Sequence, residues 1–293
     1  MIKLLAVDMD GTCLDGRSRI TDNTIKALRE AAQAGITIVP ATGRNLFCLP
    51  HRIGEGTLYG VRSAEGRKNR GLFRYVISSN GARVTDIQEK KTLFQAMIPK
   101  ETAAALLERC RGQRLIIASH INNRYLLQGR PAALAGRLVY GKDAKGIYCV
   151  RDMARTVNKS AFQTEELQFY FFTHQSRQRL ENTLGLFPGL TAAYTSVYAE
   201  VYSRQASKGR ALEALAKRLG ITREEIACIG DGENDLSMFA VSGLKIAMGN
   251  AFEGLKQQAD YVTSSNNREG VEKAVRRILD AERFVSCFRC AEE

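Results

Sequence analysis

Ile2-Lys3-Leu4-Leu5-Ala6-Val7-Asp8-Met9-Asp10-Gly11-Thr12 opens the chain with an apolar run that stops at two carboxylates and a glycine. Leu4 to Val7 form the short continuous apolar segment expected of a strand covered on both faces, and Gly11 supplies the turn out of it. Such a strand delivers Asp8 and Asp10 to its carboxyl end. In an open parallel sheet that edge is where ligands bind. An Asp-x-Asp-Gly sequence alone also serves as an ordinary turn cap, so the surroundings decide between the two readings.

The next segments build on that strand. Ile20 to Ala34 reads as a helix, with Thr21 or Asp22 as its cap, Ile25, Leu28, Ala31 and Ala32 on its apolar face, and Gly35 as its stop. Ile36-Thr37-Ile38-Val39 is a second buried strand that runs into Pro40-Ala41-Thr42-Gly43-Arg44. Strand, helix and strand make a βαβ crossover, which brings Thr42 and Gly43 to the same edge as Asp8. A hydroxyl and free amides at a helix start suit either a plain cap or an anion such as phosphate. Phe73 to Ser78 predicts a third strand, closed by the Asn80-Gly81 turn.

The parallel texture returns late in the chain. A helix follows Ser207-Lys208-Gly209, with Ala211, Leu212, Leu215 and Leu219 on one face and Gly220 as its end. Ile226-Ala227-Cys228-Ile229 is a further buried strand running into Gly230-Asp231-Gly232-Glu233-Asn234-Asp235, then a short helix from Leu236 to Ala240. Carboxylates this crowded raise one another's pKa unless a cation lies among them, so Asp231 and Asp235, together with Asp8 and Asp10, point to a hard divalent metal. Leu244 to Met248 and Asp260 to Thr263 read as two last strands before a helix from Gly270 to Leu279.

Between about Val84 and Ser203 the pattern changes. Lys100 to Arg111 is helical, while Leu115–Ser119, Tyr125–Gln128, Leu167–Thr173 and Ala192–Tyr202 read as strands in irregular alternation. This predicts an α+β insertion, an antiparallel sheet with helices on one face. The expected organisation is a core from 1–83 and 204–293 with an inserted domain at 84–203. The fold class is α/β, a Rossmann-like doubly wound parallel sheet with an α+β cap.

Composition sets bounds on function. The chain has 293 residues, 44% of them hydrophobic, which is ample for a core and favours two domains. No stretch approaches a membrane span, and Asp8 interrupts the N-terminal apolar run too early for a signal peptide, so the expectation is a soluble cytoplasmic protein. Seven scattered cysteines, an odd number, suit a reducing compartment. Cys287 and Cys290 have ligand-like spacing but no second pair beside them. The net charge of +12 lacks a dense basic run with interleaved aromatics, so it favours general anion attraction over a nucleic-acid groove. Gly54-Glu55-Gly56 with Gly60 lacks dinucleotide-loop spacing, the basic stretch Arg67 to Arg74 reads as a solvated face, and the basic loop Arg62 to Arg74 matches no motif.

Asp8-Met9-Asp10-Gly11-Thr12, Thr42 after a strand, Lys208 at a helix start and Gly230-Asp231-Gly232-Glu233-Asn234-Asp235 resemble, in order, the four motifs of the haloacid dehalogenase-like hydrolases. Asn80-Gly81-Ala82 and Gly249-Asn250-Ala251 add a resemblance to the Cof-type branch, whose large α/β cap falls between the second and third motifs. The resemblance implies a phosphatase acting on small phosphorylated metabolites such as sugar phosphates. In it, Asp8 is the nucleophile forming an aspartyl-phosphate, and Asp10 is the general acid and base, with a pKa raised by acidic neighbours. It further implies Mg2+ held by Asp8, the Asp10 carbonyl and Asp231, with Asp235 direct or through water. Thr42, the Gly43 amide, Lys208 and Asn234 would hold the phosphoryl oxygens. A phosphomutase of the same fold, or an anion- or nucleic-acid-binding protein with a vestigial site, are the alternatives. No Gly-x-x-x-x-Gly-Lys-Ser/Thr loop supports a kinase. Neither the substrate nor the oligomeric state is legible in the sequence.

Overall fold

Strand β1 (Leu4–Asp8) lies in the middle of an eight-stranded sheet and is buried along its whole length. The computed structural model describes residues 1–49, 72–140 and 147–289. Helix α1 (Asp22–Gln33) forms because the Thr21 hydroxyl accepts the Thr24 amide and because Ala27, Leu28 and Ala31 put one apolar stripe into the core. It leads into β2 (Thr37–Ala41), which pairs parallel to β1 from Thr37 opposite Leu4 to Ala41 opposite Asp8. On the other side of β1 lies β12 (Ile226–Gly230), also parallel, with Val7 opposite Ile229. Three parallel strands therefore end side by side at Asp8, Thr42 and Asp231. The fully buried Leu4 and Leu5 fix this register, and truncating either to Ala would cost about 2–5 kcal/mol.

Strands β13 (Leu244–Ala247) and β14 (Tyr261–Val262) continue the parallel sheet beyond β12. On the far side, β2 meets β3 (Tyr75–Ser78) at one register pair, Ala41 with Ile77. The sequence ends the second strand at Val39, whereas β2 runs on through Pro40 and Ala41; proline has no N–H for a ladder, and the pairing of β2 with β3 comes only past Pro40, at Ala41.

The insertion starts later than the sequence suggests. Residues from Val84 on were expected in the inserted domain, yet β4 (Arg83–Asp86) and β5 (Lys91–Gln95) pair antiparallel in the order β3-β4-β5 and complete the eight-stranded sheet. The cause is the turn at Ser79-Asn80-Gly81, which folds the chain straight back onto β3 as a hairpin. Gly81, at φ +88°, is required there because a Cβ would run into the backbone of Ser207. That close approach packs the turn on the start of α6 (Lys208–Leu219), whose cap is the Ser207 hydroxyl accepting the Arg210 amide.

A second, six-stranded sheet is built from β6 (Ile116–Ile121), β7 (Arg124–Gln128), β8 (Ile147–Val150), β9 (Thr164–Tyr170), β10 (Leu190–Tyr194) and β11 (Tyr198–Ser203), in the order β10-β11-β9-β6-β7-β8. All neighbours are antiparallel except β7 and β8. Ala192 to Tyr202, expected as one strand, is a hairpin: Thr195 takes the Val197 and Tyr198 amides on its hydroxyl and turns the chain between β10 and β11. One face of this sheet buries Ile117, Leu167, Phe169 and Val201 against Leu106 and Leu107 of α2 (Lys100–Arg109), Val157 of α4 (Met153–Lys159) and Leu180 of α5 (His174–Leu184). A helix α3 (Arg130–Tyr140), unforeseen in the sequence, packs on β7 and β8. The chain then closes with α7 (Leu236–Phe239), α8 (Glu253–Lys256) and α9 (Gly270–Arg289), the last longer than its sequence pattern indicated. The Gly54–Gly60 segment, most of the Arg62–Arg74 stretch and the Cys287/Cys290 thiol pair lie outside the described residues. No described helix is long and apolar enough to cross a membrane.

Candidate active site

Asp8 is the last residue of β1 and is almost fully buried. The Lys208 ammonium, 1% exposed, donates to Asp8 Oδ1 at 2.5 Å and to Asp235 Oδ1 at 2.8 Å. Burial alone would discharge this lysine, but Asp235 and Asp8 on either side hold its pKa above the ordinary value. The pKa of Asp8 is raised as well, which for an acid favours the neutral form. Burial, then the Asp235 charge, push its carboxyl well above the usual range, and Lys208 offsets only part of that. Asp231 is raised too, again by burial first and by Asp235, although the Thr12 hydroxyl hydrogen-bonds its Oδ1 at 2.5 Å.

Gly11 makes the turn possible in two ways. It sits at φ +81°, where an L side chain is strained, and a Cβ there would collide with the Asp231 carboxylate. Asn250 donates to the Gly11 carbonyl at 2.8 Å and Asn266 to the Leu14 carbonyl at 2.9 Å, so the loops after β13 and β14 hold the Asp8 loop in place.

Asp10 departs from expectation. Its side chain, 52% exposed, stands outside the cluster formed by Asp8, Asp231 and Asp235. Arg44 grips it from two sides, Nε to Oδ2 at 2.8 Å and Nη2 to Oδ1 at 2.6 Å. The neighbour that governs Asp10 is thus a guanidinium and not another acid. Its bidentate fork fixes the carboxylate plane. Arg44 follows directly on Thr42-Gly43, and the signal that could have revealed it was an arginine at a helix start beside an acidic loop.

Thr42 is fully buried at the end of β2, its hydroxyl accepting the Arg44 amide at 3.0 Å, which leaves the O–H to donate. Gly43 lines the cavity described below. Asn234 donates to Asn80 Oδ1 at 3.1 Å. Asn80, held at φ +52°, in turn donates to Glu166 at 3.0 Å and Glu200 at 2.7 Å, both on the second sheet. The sequence reads Asn80 as a turn residue and as part of the Cof-type resemblance; here it also ties the two sheets together. Asp235 Oδ2 accepts the Asp231 and Gly232 amides at 2.9 Å each. With Lys208 on its other oxygen, Asp235 organises the loop.

The structure therefore gathers Asp8, Thr42, Gly43, Lys208, Asp231, Asn234 and Asp235 at one sheet edge, and places Asp10 beside it on Arg44. Carboxylate oxygens of Asp8, Asp231 and Asp235 lie within 4.8 Å of one another. One ammonium against three acids leaves the cluster short of positive charge, and the Asp235 charge adds to burial in raising the pKa values of Asp8 and Asp231. All-oxygen donors with that deficit fit a hard divalent cation. A cavity of about 740 Å³ opens from Asp8, Asp231 and Asn234 toward the exposed edge and inner face of the second sheet.

A carboxylate-bearing strand end in a doubly wound sheet, facing an inserted second sheet, is a ligand site at the carboxyl edge of the sheet. The chain belongs to the haloacid dehalogenase-like hydrolases: that family's model matches residues 5–275. It is similar to the phosphatase YwpJ of Bacillus subtilis, with 31% identity over 95% of this chain and 100% of that protein. It also resembles the 5-amino-6-(5-phospho-D-ribitylamino)uracil phosphatase YcsE of the same organism, 29% identical over 94% of this chain and 95% of that protein. Among solved structures, a haloacid dehalogenase-like hydrolase from Bacteroides thetaiotaomicron superposes with a TM-score of 0.78 at 25% identity, over 95% of this chain and all of the other.

Proposed function

We propose that this protein is a Mg2+-dependent phosphatase that hydrolyses small phosphate monoesters through an aspartyl-phosphate on Asp8. The observation that carries this reading is the buried Asp8 set between Lys208 and the Asp231 side of the cluster, with Asp10 two residues on, at the mouth of a cavity large enough for a metabolite. When bound, the cation would be held by Asp8, Asp231 and the Asp10 carbonyl, and would supply positive charge to the phosphoryl oxygens. Asp235 acts indirectly, because both of its oxygens are engaged by Lys208 and by amides.

Asp8 attacks phosphorus and expels the alkoxide, which splits one difficult displacement into two. Asp10 gives the leaving oxygen its proton and then takes one from the water that hydrolyses the intermediate. Arg44 keeps the Asp10 carboxylate turned toward the cavity and off the acidic cluster. The Thr42 hydroxyl, the Gly43 amide, Lys208 and Asn234 hold the phosphoryl oxygens as charge redistributes. The second sheet and its helices, from about 98 to 203, form the cap that selects the alcohol half. Cytoplasmic residence is part of the proposal, supported by the five described thiols, Cys13, Cys48, Cys110, Cys149 and Cys228, all being free.

The test is release of inorganic phosphate from a panel of monoesters, with and without exhaustive chelation. Phosphate freed to solvent separates hydrolysis from a mutase reaction. Full activity in the absence of any divalent cation would sink the metal assignment.

A further inference from the structure

The inner face of the second sheet is laid out in rows by its register. Tyr198, Tyr170 and Ile116 stand abreast, and behind them Glu200, Gln168, Ala118 and Leu127 form the next row. Strand alternation turns these residues toward the cavity and their neighbours toward the helices. The Tyr170 and Tyr198 rings lie 5.1 Å apart at a 36° tilt. Their side of the sheet is held rigid by Tyr125, whose hydroxyl bonds Gln168 at 2.6 Å and meets the Tyr170 hydroxyl at 2.8 Å. Beyond this aromatic wall the lining is apolar, from Leu127 and Ala135 to Phe171, and at the mouth Phe172 is 73% exposed.

Charge is distributed just as unevenly. Among the described lining residues the one cationic side chain is Arg44, and its guanidinium is already on Asp10. His120 also lines the cavity, but burial drives its pKa down to about 3 and leaves it neutral. Facing the cavity from the cap is Glu200, and Asp10 lies across from it. A second anionic group on a ligand would be repelled by Glu200 if ionised. If Glu200 were protonated, that group would lose its hydration with no counter-charge in return.

We propose that the ester's alcohol half is a bulky, ring-bearing group of neutral or positive charge, stacked on Tyr170 and Tyr198 with any cationic substituent directed to Glu200. This rests on the phosphatase reading above and narrows it. The cavity, at about 740 Å³, falls in the upper part of the roughly 300–1,000 Å³ range of pockets that enclose drug-sized ligands, far beyond what a two-carbon phosphorylated acid fills. Doubly anionic metabolites do not meet the charge pattern, and small acyclic acids leave the aromatic wall uncovered.

The experiment compares kcat/KM of the full chain with Mg2+ on phenylpropyl phosphate, its para-aminomethyl and para-carboxy derivatives, a hexose monophosphate and phosphoglycolate. The three propyl esters share one leaving group, so chemistry is matched and binding is read. The phenyl and aminomethyl esters are expected to exceed the carboxy ester by about tenfold or more, and the hexose ester and phosphoglycolate to trail all three. Glu200→Gln is expected to narrow the aminomethyl-to-carboxy ratio about fivefold, a ratio that cancels any general loss of activity. A carboxy ester that equals or beats the aminomethyl ester, or phosphoglycolate at the head of the ranking, overturns the proposal. Absence of phosphate release from every ester, and from acetyl phosphate as well, refutes the phosphatase reading itself. Calorimetric Kd values for the three propyl compounds made as phosphonates then still decide the pocket's preference, by the same ranking.

Discussion

Lys208→Met tests the electrostatics of the site more directly than any loss of activity. Methionine keeps the length and apolar stem of the lysine and removes only the ammonium that bonds Asp8 at 2.5 Å and Asp235 at 2.8 Å. Both carboxylates are buried, so the substitution strands two acids without their cation. Breaking a buried pair in this way costs about 3–5 kcal/mol. For a chain of this size each kcal/mol lowers Tm by about 2–4 °C, so the expected fall is on the order of 10 °C at neutral pH. The pH dependence carries the sharper signature. Asp8 and Asp231 already have folded-state pKa values above their unfolded ones, so the native state holds protons that the unfolded chain has released. Their contribution to stability is present below the ordinary carboxylate pKa and is lost as pH rises through the raised values. Without the ammonium those values rise further. The gap between variant and parent should therefore be small near pH 4 and widen toward neutrality, and Mg2+ should close part of it by restoring positive charge. Calorimetric melts from pH 4 to 8, with and without Mg2+, measure this. A Tm within about 2 °C of the parent at neutral pH, or a gap that shrinks as pH rises, refutes the reasoning.

Asp8→Asn should remove turnover while leaving Tm at or above that of the parent, since an amide is a poor nucleophile and carries no buried charge; near-normal kcat, with deamidation excluded by mass, would overturn the nucleophile assignment. Arg44→Met should lower kcat by about tenfold to a hundredfold with a smaller change in KM, because it frees the Asp10 carboxylate to leave its working position; an unchanged kcat would show that the Arg44 grip is incidental. His120 is buried neutral with its pKa lowered to about 3, so the unfolded chain binds this proton first and stability falls as pH drops from about 6.5 toward 3. His120→Gln should flatten the acid limb of a stability–pH curve by up to about one proton, and an unaltered slope in urea titrations would contradict it.

The core was legible because each of its strands is a continuous apolar run ending in a small cluster of polar residues. Leu4 to Asp8, Ile36 to Thr42 and Ile226 to Asp231 each carry a candidate site residue at their own carboxyl end, so local pattern sufficed to bring these residues together. The four ordered motifs then located Asp8, Thr42, Lys208 and Asp231 with no knowledge of packing. What the sequence withheld was pairing at a distance. Nothing local says that Arg44 reaches back to Asp10, because an arginine at a helix start usually remains in water. The edge of the insertion was misplaced for a related reason: Arg83 to Gln95 has the mixed polarity of an outer antiparallel strand pair, which reads like the insertion that follows it. The inner face of the second sheet was equally hidden. Alternation marks which residues share a face, but whether that face meets solvent, helices or an active site depends on the neighbouring element.

Asn80 shows where these two kinds of information meet. As a sequence it is half of an Asn-Gly turn, and the turn alone accounts for an asparagine in the left-handed region. In the fold, Gly81 lets that turn lie against Ser207, and the Asn80 side chain then bonds Asn234 of the core and Glu166 and Glu200 of the second sheet. Its amide has one acceptor and two donor hydrogens, and three partners use them. Asn234 and Glu200 both line the cavity, so one side chain couples the group proposed to hold phosphate to the group proposed to judge the alcohol. A shift of the second sheet that moved Glu200 would pull on Asn80 and leave Asn234 without its acceptor. On the roles proposed for Asn234 and Glu200, phosphate binding and substrate choice would be linked through a single buried amide, in a turn that a glycine in the adjacent position allows to touch a second backbone.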